Sequence, residues 1–431
     1  MSINREILRL SLPSILASIT IPLVGVVDTA IVGHIADTAA IGGIAIASML
    51  FDLLYWNFGF LRVGTGGLTA QAFGRKATND IADIFTRSSV IALGGALLIW
   101  LLQTAFYYAV MTFIPCSDSV RDFAGKYFFI RIWAAPATLW LMAFKGFYIG
   151  MQHTVASMIV DLTVNLVNIL ASLLLTFFTP LGVVGVAYGT VIAQYTGVIV
   201  AFIILFVRYP YVISAVDFRR ALTPYKLKTL FIFNSNLFIR SLCFMVVYVG
   251  FTSLATRYGE VELALSSIVM KLFMLFSYFV DGFAYAGEAL VGRFFGARDR
   301  MGAHATVRAL AVWGVGITIL FTIVFGIWGD TFILWMSDDP AIKTAAPSCL
   351  LWLCIMPSLS CFAFLWDGIY IGAADDKGVR NCMIWAALSF VLSYILAAPA
   401  WGMQALYMAY MIHLAVRGIY LTLRWRHISD F

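Results

Sequence analysis

Asp28 is an acid set in a long apolar run. A carboxyl in such surroundings can either exchange a proton or hold a small cation such as sodium. It lies about seven residues, roughly 10 Å at 1.5 Å per residue, from the outer end of that run if the run is helical. Pro13 and Pro22 precede it, and each removes a helix hydrogen bond and permits a bend. A bendable helix with one acid suits a protonation switch or an ion site. The alternative is structural, with Asp28 capping a local break or pairing with a neighbour.

Other polar residues inside apolar sequence fall into two groups. Asp161, Asn165, Asn168 and Ser172 are spaced four, three and four apart, which places them on one helical face, and Thr190 and Gln194 repeat the four-residue spacing. If these two runs cross a bilayer outward and back, Ser172 and Thr190 come to about the depth of Asp28, with Asn168 nearer the middle. Asn168, Ser172 and Thr190 could complete a proton or sodium site with Asp28, or bind neighbouring helices together. Asp161 falls nearer the inner end, facing a vestibule. The second group is Lys145 in the first half and Arg240, Lys271, Asp281, Glu288 and Asp367 in the second. Arg240 with Asp281 or Glu288 is one expected buried pair, and Lys145 with Asp367 another. Either would be an inner gate or a structural ion pair.

What must position these residues follows from composition. Hydrophobic residues make up 62% of the chain and charged residues 12%, and the mean hydropathy is +0.93, so lipid is the solvent. Apolar runs of spanning length recur to the end of the sequence. The spans read as 8–35, 40–73, 82–114, 122–152, 154–179, 181–207, 227–257, 261–296, 302–335, 343–374, 376–399 and 401–424. Basic residues cluster at both ends and at alternate loops, among them Arg75, Lys76, Arg219, Arg220, Arg298 and Arg300. The opposite loops hold Arg121, Lys126, Arg257 and Lys343. The positive-inside rule then puts both termini in the cytoplasm of a multi-pass protein in a bacterial inner membrane. The net charge of +6 is explained by topology, with no nucleic-acid partner. The first run is too long for a signal peptide's apolar region. The six cysteines and five histidines show no ligand spacing, so neither metal nor cofactor is expected. An enzyme such as a membrane hydrolase would lack its usual reagents.

The chain also repeats itself. Phe-Lys-Gly-Phe-Tyr-Ile-Gly at 144–150 matches Trp-Asp-Gly-Ile-Tyr-Ile-Gly at 366–372, 222 residues on, and the same spacing aligns Phe73-Gly74 with Phe295-Gly296. Pro136 and Pro357 match one residue out of register. The expected fold is all-α and polytopic. Its twelve transmembrane helices form two six-helix lobes related by a pseudo-two-fold axis along the membrane normal, 1–207 and 227–431, joined by a basic cytoplasmic linker at 208–226. An even helix count gives both copies one orientation, a plan that suits two lobes rocking about a central substrate site. A duplication kept only for stability is the other reading. Small residues at Gly64, Gly66 and Gly67, and at Gly282, Ala284, Ala286 and Gly287, allow close helix packing. The repeat partner of Asp28 is Gly250, so any coupling centred on Asp28 belongs to the first lobe alone.

These residues resemble a known family. Leu12-Pro13 through Val26-Val27-Asp28-Thr29-Ala30-Ile31-Val32-Gly33-His34 is similar to the first helix of multidrug and toxic compound extrusion (MATE) transporters. Asp281-Gly282-Phe283-Ala284, Glu288-Ala289-Leu290-Val291-Gly292 and Asp367-Gly368-Ile369-Tyr370-Ile371-Gly372 look like the DinF-like branch. The resemblance spans the chain. It implies export of cationic or amphipathic small molecules driven by inward protons or sodium, with Asp28 the principal acid, Asn168 and Thr190 its polar neighbours and Pro13 the bending proline. Where many members carry a second acid, this chain has Ser172, which weakens a dehydrated sodium site and favours the proton. The implied protein is monomeric, with lipids and a small-molecule substrate as partners. A flippase or exporter of lipid-linked or polar cell-envelope metabolites is the alternative, and it would call for a more basic cavity.

Overall fold

The computed structural model describes residues 2–33, 38–337 and 339–428. The described residues form helices joined by short turns, in the order α1 (Ile3–Gly33), α2 (Thr38–Trp56), α3 (Phe60–Gly74), α4 (Thr78–Met111), α5 (Asp118–Arg131), α6 (Ala135–Gly150), α7 (Thr154–Phe178), α8 (Val184–Arg208), α9 (Pro210–Ser214), α10 (Phe218–Ala221), α11 (Pro224–Ala255), α12 (Glu260–Gly296), α13 (Arg300–Met336), α14 (Pro340–Ala345), α15 (Pro347–Gly372), α16 (Asp376–Trp401) and α17 (Met403–Ile428). Eleven segments among the described residues are long and apolar enough to cross a membrane. Helix α1, 31 residues long, supplies the twelfth span. The end of the first expected span, at 34–35, lies outside the described residues.

The interior and exterior of these helices are sorted for lipid. On α7 the polar residues Asn168, Ser172 and Thr176 are buried, while Leu162, Leu166, Leu170 and Leu174 are exposed. A helix in hydrocarbon turns its leucines outward and its hydrogen-bonding groups toward its neighbours, because an unpaired polar group costs most against lipid. The aromatic content partly serves packing: Phe51 stacks on Phe128 with ring centroids 5.2 Å apart, and Phe85 meets Phe144 and Phe147 at 5.0 Å.

Three expected spans are broken, the tenth at Ala346 between α14 and α15. The second divides into α2 and α3 at Asn57–Gly59, where Asn57 Nδ2 donates to the Leu53 carbonyl at 2.6 Å, a local bond that competes with helix propagation. The fourth is α5 and α6 joined by a 3-10 turn at Ile132–Ala134. Pro136 sits in the first turn of α6, where its missing N–H is harmless.

The duplication is built into the backbone. Lys76, Gln152, Arg298 and Ala374 have φ of 56°, 59°, 55° and 57°, and they form two pairs at the 222-residue spacing. Each follows a helix end and is bridged by the same bond: Ala77 N to Ala72 O at 3.0 Å and Asp299 N to Phe294 O at 2.9 Å, His153 N to Tyr148 O at 2.8 Å and Asp375 N to Tyr370 O at 3.1 Å. Left-handed residues in this role close helix C-termini. The glycines obey the same spacing. A methyl on Gly146 would collide with the Arg62 carbonyl, and one on Gly368 with the Ala284 carbonyl, so α3 against α6 is copied as α12 against α15.

The chain forms two compact units, Leu16–Phe231 and Met1–Ile15 with Ile232–Phe431. The sequence places 1–15 in the first lobe, but their contacts lie in the second unit. Arg293 Nη2 donates to Glu6 Oε2 at 2.7 Å, Trp313 Nε1 to Asn4 Oδ1 at 3.3 Å, and Gly282 leaves space that Ile15 fills. Helix α1 thus belongs to one unit at its start and to the other from Leu16 onward. The 208–226 stretch carries α9 and α10 and is anchored on the Leu16–Phe231 unit by Asp83 of α4, which receives Arg220 Nη2 at 2.9 Å and Lys226 Nζ at 2.6 Å.

Candidate functional site

Five helices of the Leu16–Phe231 unit enclose a cavity of about 500 Å³. Its wall takes Asp28 from α1, Ser48 and Asp52 from α2, Tyr127 and Arg131 from α5, Asn165 and Asn168 from α7, and Thr190 and Gln194 from α8, with Val24, Ile41, Ile44 and Val164 among its apolar members. A volume of this order accommodates a drug-sized molecule.

Each polar group is set by local sequence. Thr190 donates to the Val186 carbonyl one turn back at 3.1 Å, which leaves its oxygen to accept from Asn168 Nδ2 at 3.0 Å. The Asn168 amide is thereby oriented, and its Oδ1 is buried with no hydrogen-bond partner. Asn165 Nδ2 donates to Thr20 Oγ1 at 2.6 Å, tying α7 to α1 below Asp28. The Oδ1 atom of Asp28 is likewise buried without a hydrogen-bond partner. Arg131 ends α5, where the helix dipole favours a cation. Its guanidinium lies over the Phe51 ring at 4.7 Å and the Tyr127 ring at 5.7 Å, contacts that hold a cation with little loss of its donors. Among the described residues, its one hydrogen bond to another side chain is Nη1 to Tyr127 Oη at 3.3 Å. Its charge acts on both Asp28 and Asp52, but among the described residues it makes no ion pair.

Of the residues read from sequence, Asp28, Asn165, Asn168, Thr190 and Gln194 meet in this cavity. Ser172 does not line it; it is fully buried, with Gly189 packed against its backbone and hydroxyl. Asp161 leaves the stripe to pair with Lys145. Pro13 and Pro22 both lie within α1, which continues through them. Sequence reading missed Asp52, Arg131, Tyr127 and Ser48. The signal was available for two of them, since Asp52 and Arg131 are charges inside apolar spans. Their repeat partners are Met274 and Leu353, so these charges, like Asp28, belong to the first half alone.

The other unit carries a separate ionic cluster. Asp367 of α15 accepts from Arg240 Nη2 of α11 at 2.6 Å and from Arg417 Nη2 of α17 at 2.7 Å. Arg240 therefore pairs with Asp367 and not with Asp281 or Glu288, and Lys145 is committed to Asp161 and not to Asp367. Arg417, 1% exposed, lies over the Phe364 ring at 5.4 Å; it too is a charge within an apolar helix that sequence reading passed over. Glu288 is wholly buried, its carbonyl against Gly372, and Asp281 accepts from Ser277 Oγ at 3.4 Å. The Asp367 pairs and the Glu288–Gly372 contact tie helices together, the Ser277–Asp281 bond lies within α12, and no cluster of potential metal ligands occurs among the described residues.

Known proteins resemble this chain in sequence and in fold. A family model described as MatE matches residues 13–174 and 237–412. DNA damage-inducible protein F of Escherichia coli (strain K12) is 32% identical over 427 residues, spanning 99% of this chain and 92% of that protein. Protein DETOXIFICATION 44, chloroplastic, of Arabidopsis thaliana is 25% identical over 96% of this chain and 81% of its own length. A MATE structure in the bent conformation superposes with a TM-score of 0.88 at 17% identity, covering 100% of this chain and 96% of that one. One in the straight conformation gives 0.87 at 15% identity, covering 100% and 98%. At those identities the two structures bear on the fold alone. The match of the family model to both halves, with 32% identity along nearly the whole chain, shows that this multi-pass membrane protein belongs to the MatE family of multidrug and toxin extrusion transporters, and is not an enzyme.

Proposed function

We propose that the protein is a secondary antiporter of the bacterial inner membrane, both termini cytoplasmic, that exports amphipathic organic compounds in exchange for protons through Asp28. The observation that carries this reading is the unpartnered Asp28 oxygen in a wall otherwise built of oriented polar groups. A carboxyl so placed can bind a substrate's N–H while ionised and release it on protonation. The sequence reading favoured the proton over sodium because Ser172 replaces a second acid. The cavity does hold a second carboxylate, Asp52, but it also holds Arg131. A resident guanidinium repels a bare metal cation, whereas a proton adds covalently to one carboxyl oxygen.

Alternating access would come from the rearrangement of the two halves, with α1 bending near Pro13 or Pro22. Solved relatives adopt bent and straight conformations, and α1 here divides its residues between the two compact units at Ile15–Leu16. A flippase for a polar envelope precursor fits less well, because two carboxylates against one arginine make a poor phosphate site.

The test is transport in proteoliposomes under separately imposed proton and sodium gradients, comparing wild type with Asp28→Asn. Proton-driven transport in wild type that is lost in Asp28→Asn is expected. Undiminished proton-driven transport by the mutant, or a wild type driven by sodium alone, refutes the scheme.

A further inference from the structure

The cavity's acids have a counterpart that a site for simple cations does not need. Arg131 carries five N–H donors, and among the described residues its one hydrogen bond to another side chain, to Tyr127, is 3.3 Å long. Aromatic rings flank it, and among the described residues neither Asp28 nor Asp52 approaches within ion-pair distance, although all three line one cavity. A guanidinium held by rings keeps its donor fork free for a planar anion. Two residues of the same wall each carry a buried oxygen without a hydrogen-bond partner, Asp28 Oδ1 and Asn168 Oδ1. The second is fixed as an acceptor, because Thr190 gives its own proton to Val186 and so takes the Asn168 amide hydrogen. Asn168 is only 4% exposed, and an acceptor buried to that degree without a donor is costly unless a ligand supplies one.

We infer that the cavity selects a zwitterion, an amphipathic compound bearing an ammonium and a carboxylate, with the ammonium on Asp28 and Asn168 and the carboxylate on Arg131. This rests on the antiport reading and gives Asp52 a part in it. A proton arriving on Asp28 removes the ammonium's charged partner. The carboxylate stays on Arg131, where Asp52, whose charge also acts on that guanidinium, competes for it. The proton thus loosens the ammonium end, and Asp52 keeps the carboxylate end from holding the substrate too tightly. A monocation would meet Arg131 as a like charge, and a monoanion would meet Asp28 and Asp52 as like charges.

The experiment uses the full-length protein in nanodiscs for binding and in proteoliposomes for export. The probes are phenylalanylphenylalanine as the zwitterion, its methyl ester as the monocation and its N-acetyl derivative as the monoanion. Wild type is expected to bind the zwitterion about tenfold or more tightly than either derivative, as a charge-assisted bidentate pair warrants. Arg131→Gln is expected to bring the zwitterion-to-ester ratio to near one, and Arg131→Lys to leave an intermediate ratio. A ratio near one in wild type overturns the inference without reference to any variant, and so does an undiminished ratio in Arg131→Gln. If the ester is exported on a proton gradient but the zwitterion holds no advantage, selectivity fails while antiport stands. If none of the three probes is exported on a proton gradient, both fail.

Discussion

Asn168 and Thr190 join α7 to α8 through one hydrogen bond of 3.0 Å, and both side chains line the cavity that holds Asp28. The bond does two jobs, since it fastens two helices and leaves the asparagine's carbonyl oxygen buried without a donor. Thr190→Val keeps the shape and removes the acceptor, which frees the amide to rotate. The expected cost is about 1 kcal/mol, the scale of a net interhelical hydrogen bond, read as a lower melting temperature in detergent. Asn168→Leu together with Thr190→Val should cost less than the sum of the single changes, because each leaves the other unpaired. Additive losses would mean that the bond is not formed in the membrane.

Asp367 supports two arginines, and the three side chains are unequally buried. Arg417 is 1% exposed, Asp367 13% and Arg240 18% by side chain. Removing the acid leaves two neighbouring cations, one of them without access to water, whereas removing Arg240 leaves an ion pair that still balances. Asp367→Asn should therefore destabilise by about 3–5 kcal/mol, the range for breaking a buried pair, and Arg240→Gln by clearly less. Thermal melting and the yield of monodisperse protein give the order. Equal losses in the two variants would show that the Arg240 pair carries the stability of the whole cluster, against its greater exposure.

The scaffold was legible in the sequence because lipid imposes long apolar runs and a charge bias on loops, both of which survive without knowledge of packing. The repeat was legible too, at Gly146 and Gly368, because glycine is demanded there by a neighbouring carbonyl and cannot drift. The pairing of charges was not. Lys145 and Asp367 are repeat partners, which invites matching them, but Lys145 takes Asp161 on α7 and Asp367 takes arginines from α11 and α17. Pairing depends on which helix faces which, and that is a property of the bundle. Four of the nine polar residues of the cavity wall were missed. Asp52 and Arg131 stand out in sequence as charges within apolar spans, but that they share a cavity with Asp28 depends on how α2 and α5 face α1.

The duplicated glycine contacts make a prediction in both halves at once. Gly146→Ala would drive a methyl into the Arg62 carbonyl, and Gly368→Ala into the Ala284 carbonyl. Backbone atoms cannot rotate aside as a side chain can, so α3 and α6, or α12 and α15, must separate. Overpacking of this kind costs about 1–3 kcal/mol or more, and the two variants should lose stability alike. By contrast Gly94→Ala, where the added methyl meets nothing within 4 Å, should be neutral or slightly stabilising, since alanine is the better helix former. A pronounced loss at Gly94 or none at Gly146 would contradict this packing.

The linker between the halves provides a last prediction. Asp83 is 1% exposed by side chain and receives Arg220 and Lys226, which are 32% and 35% exposed, so the acid forms a buried end of two half-wet ion pairs. Asp217 caps α10 by accepting from the backbone N–H of Arg219 and Arg220 at 2.9 and 3.2 Å, which turns Arg220 back toward α4. His153 Nδ1 and Tyr209 Oη share a hydrogen bond of 2.9 Å, which holds the start of the linker independently. Asp83→Asn should thus release the far end of the linker while its start stays docked. Trypsin is expected to cleave after Arg219, Arg220 and Lys226 faster in Asp83→Asn than in wild type, with cleavage after Arg208 little changed. Added salt should move wild type only part of the way, because the buried carboxylate is shielded from screening ions. Unchanged cleavage at all these positions would mean that apolar contacts such as Val212, 1% exposed, hold the linker without help from Asp83.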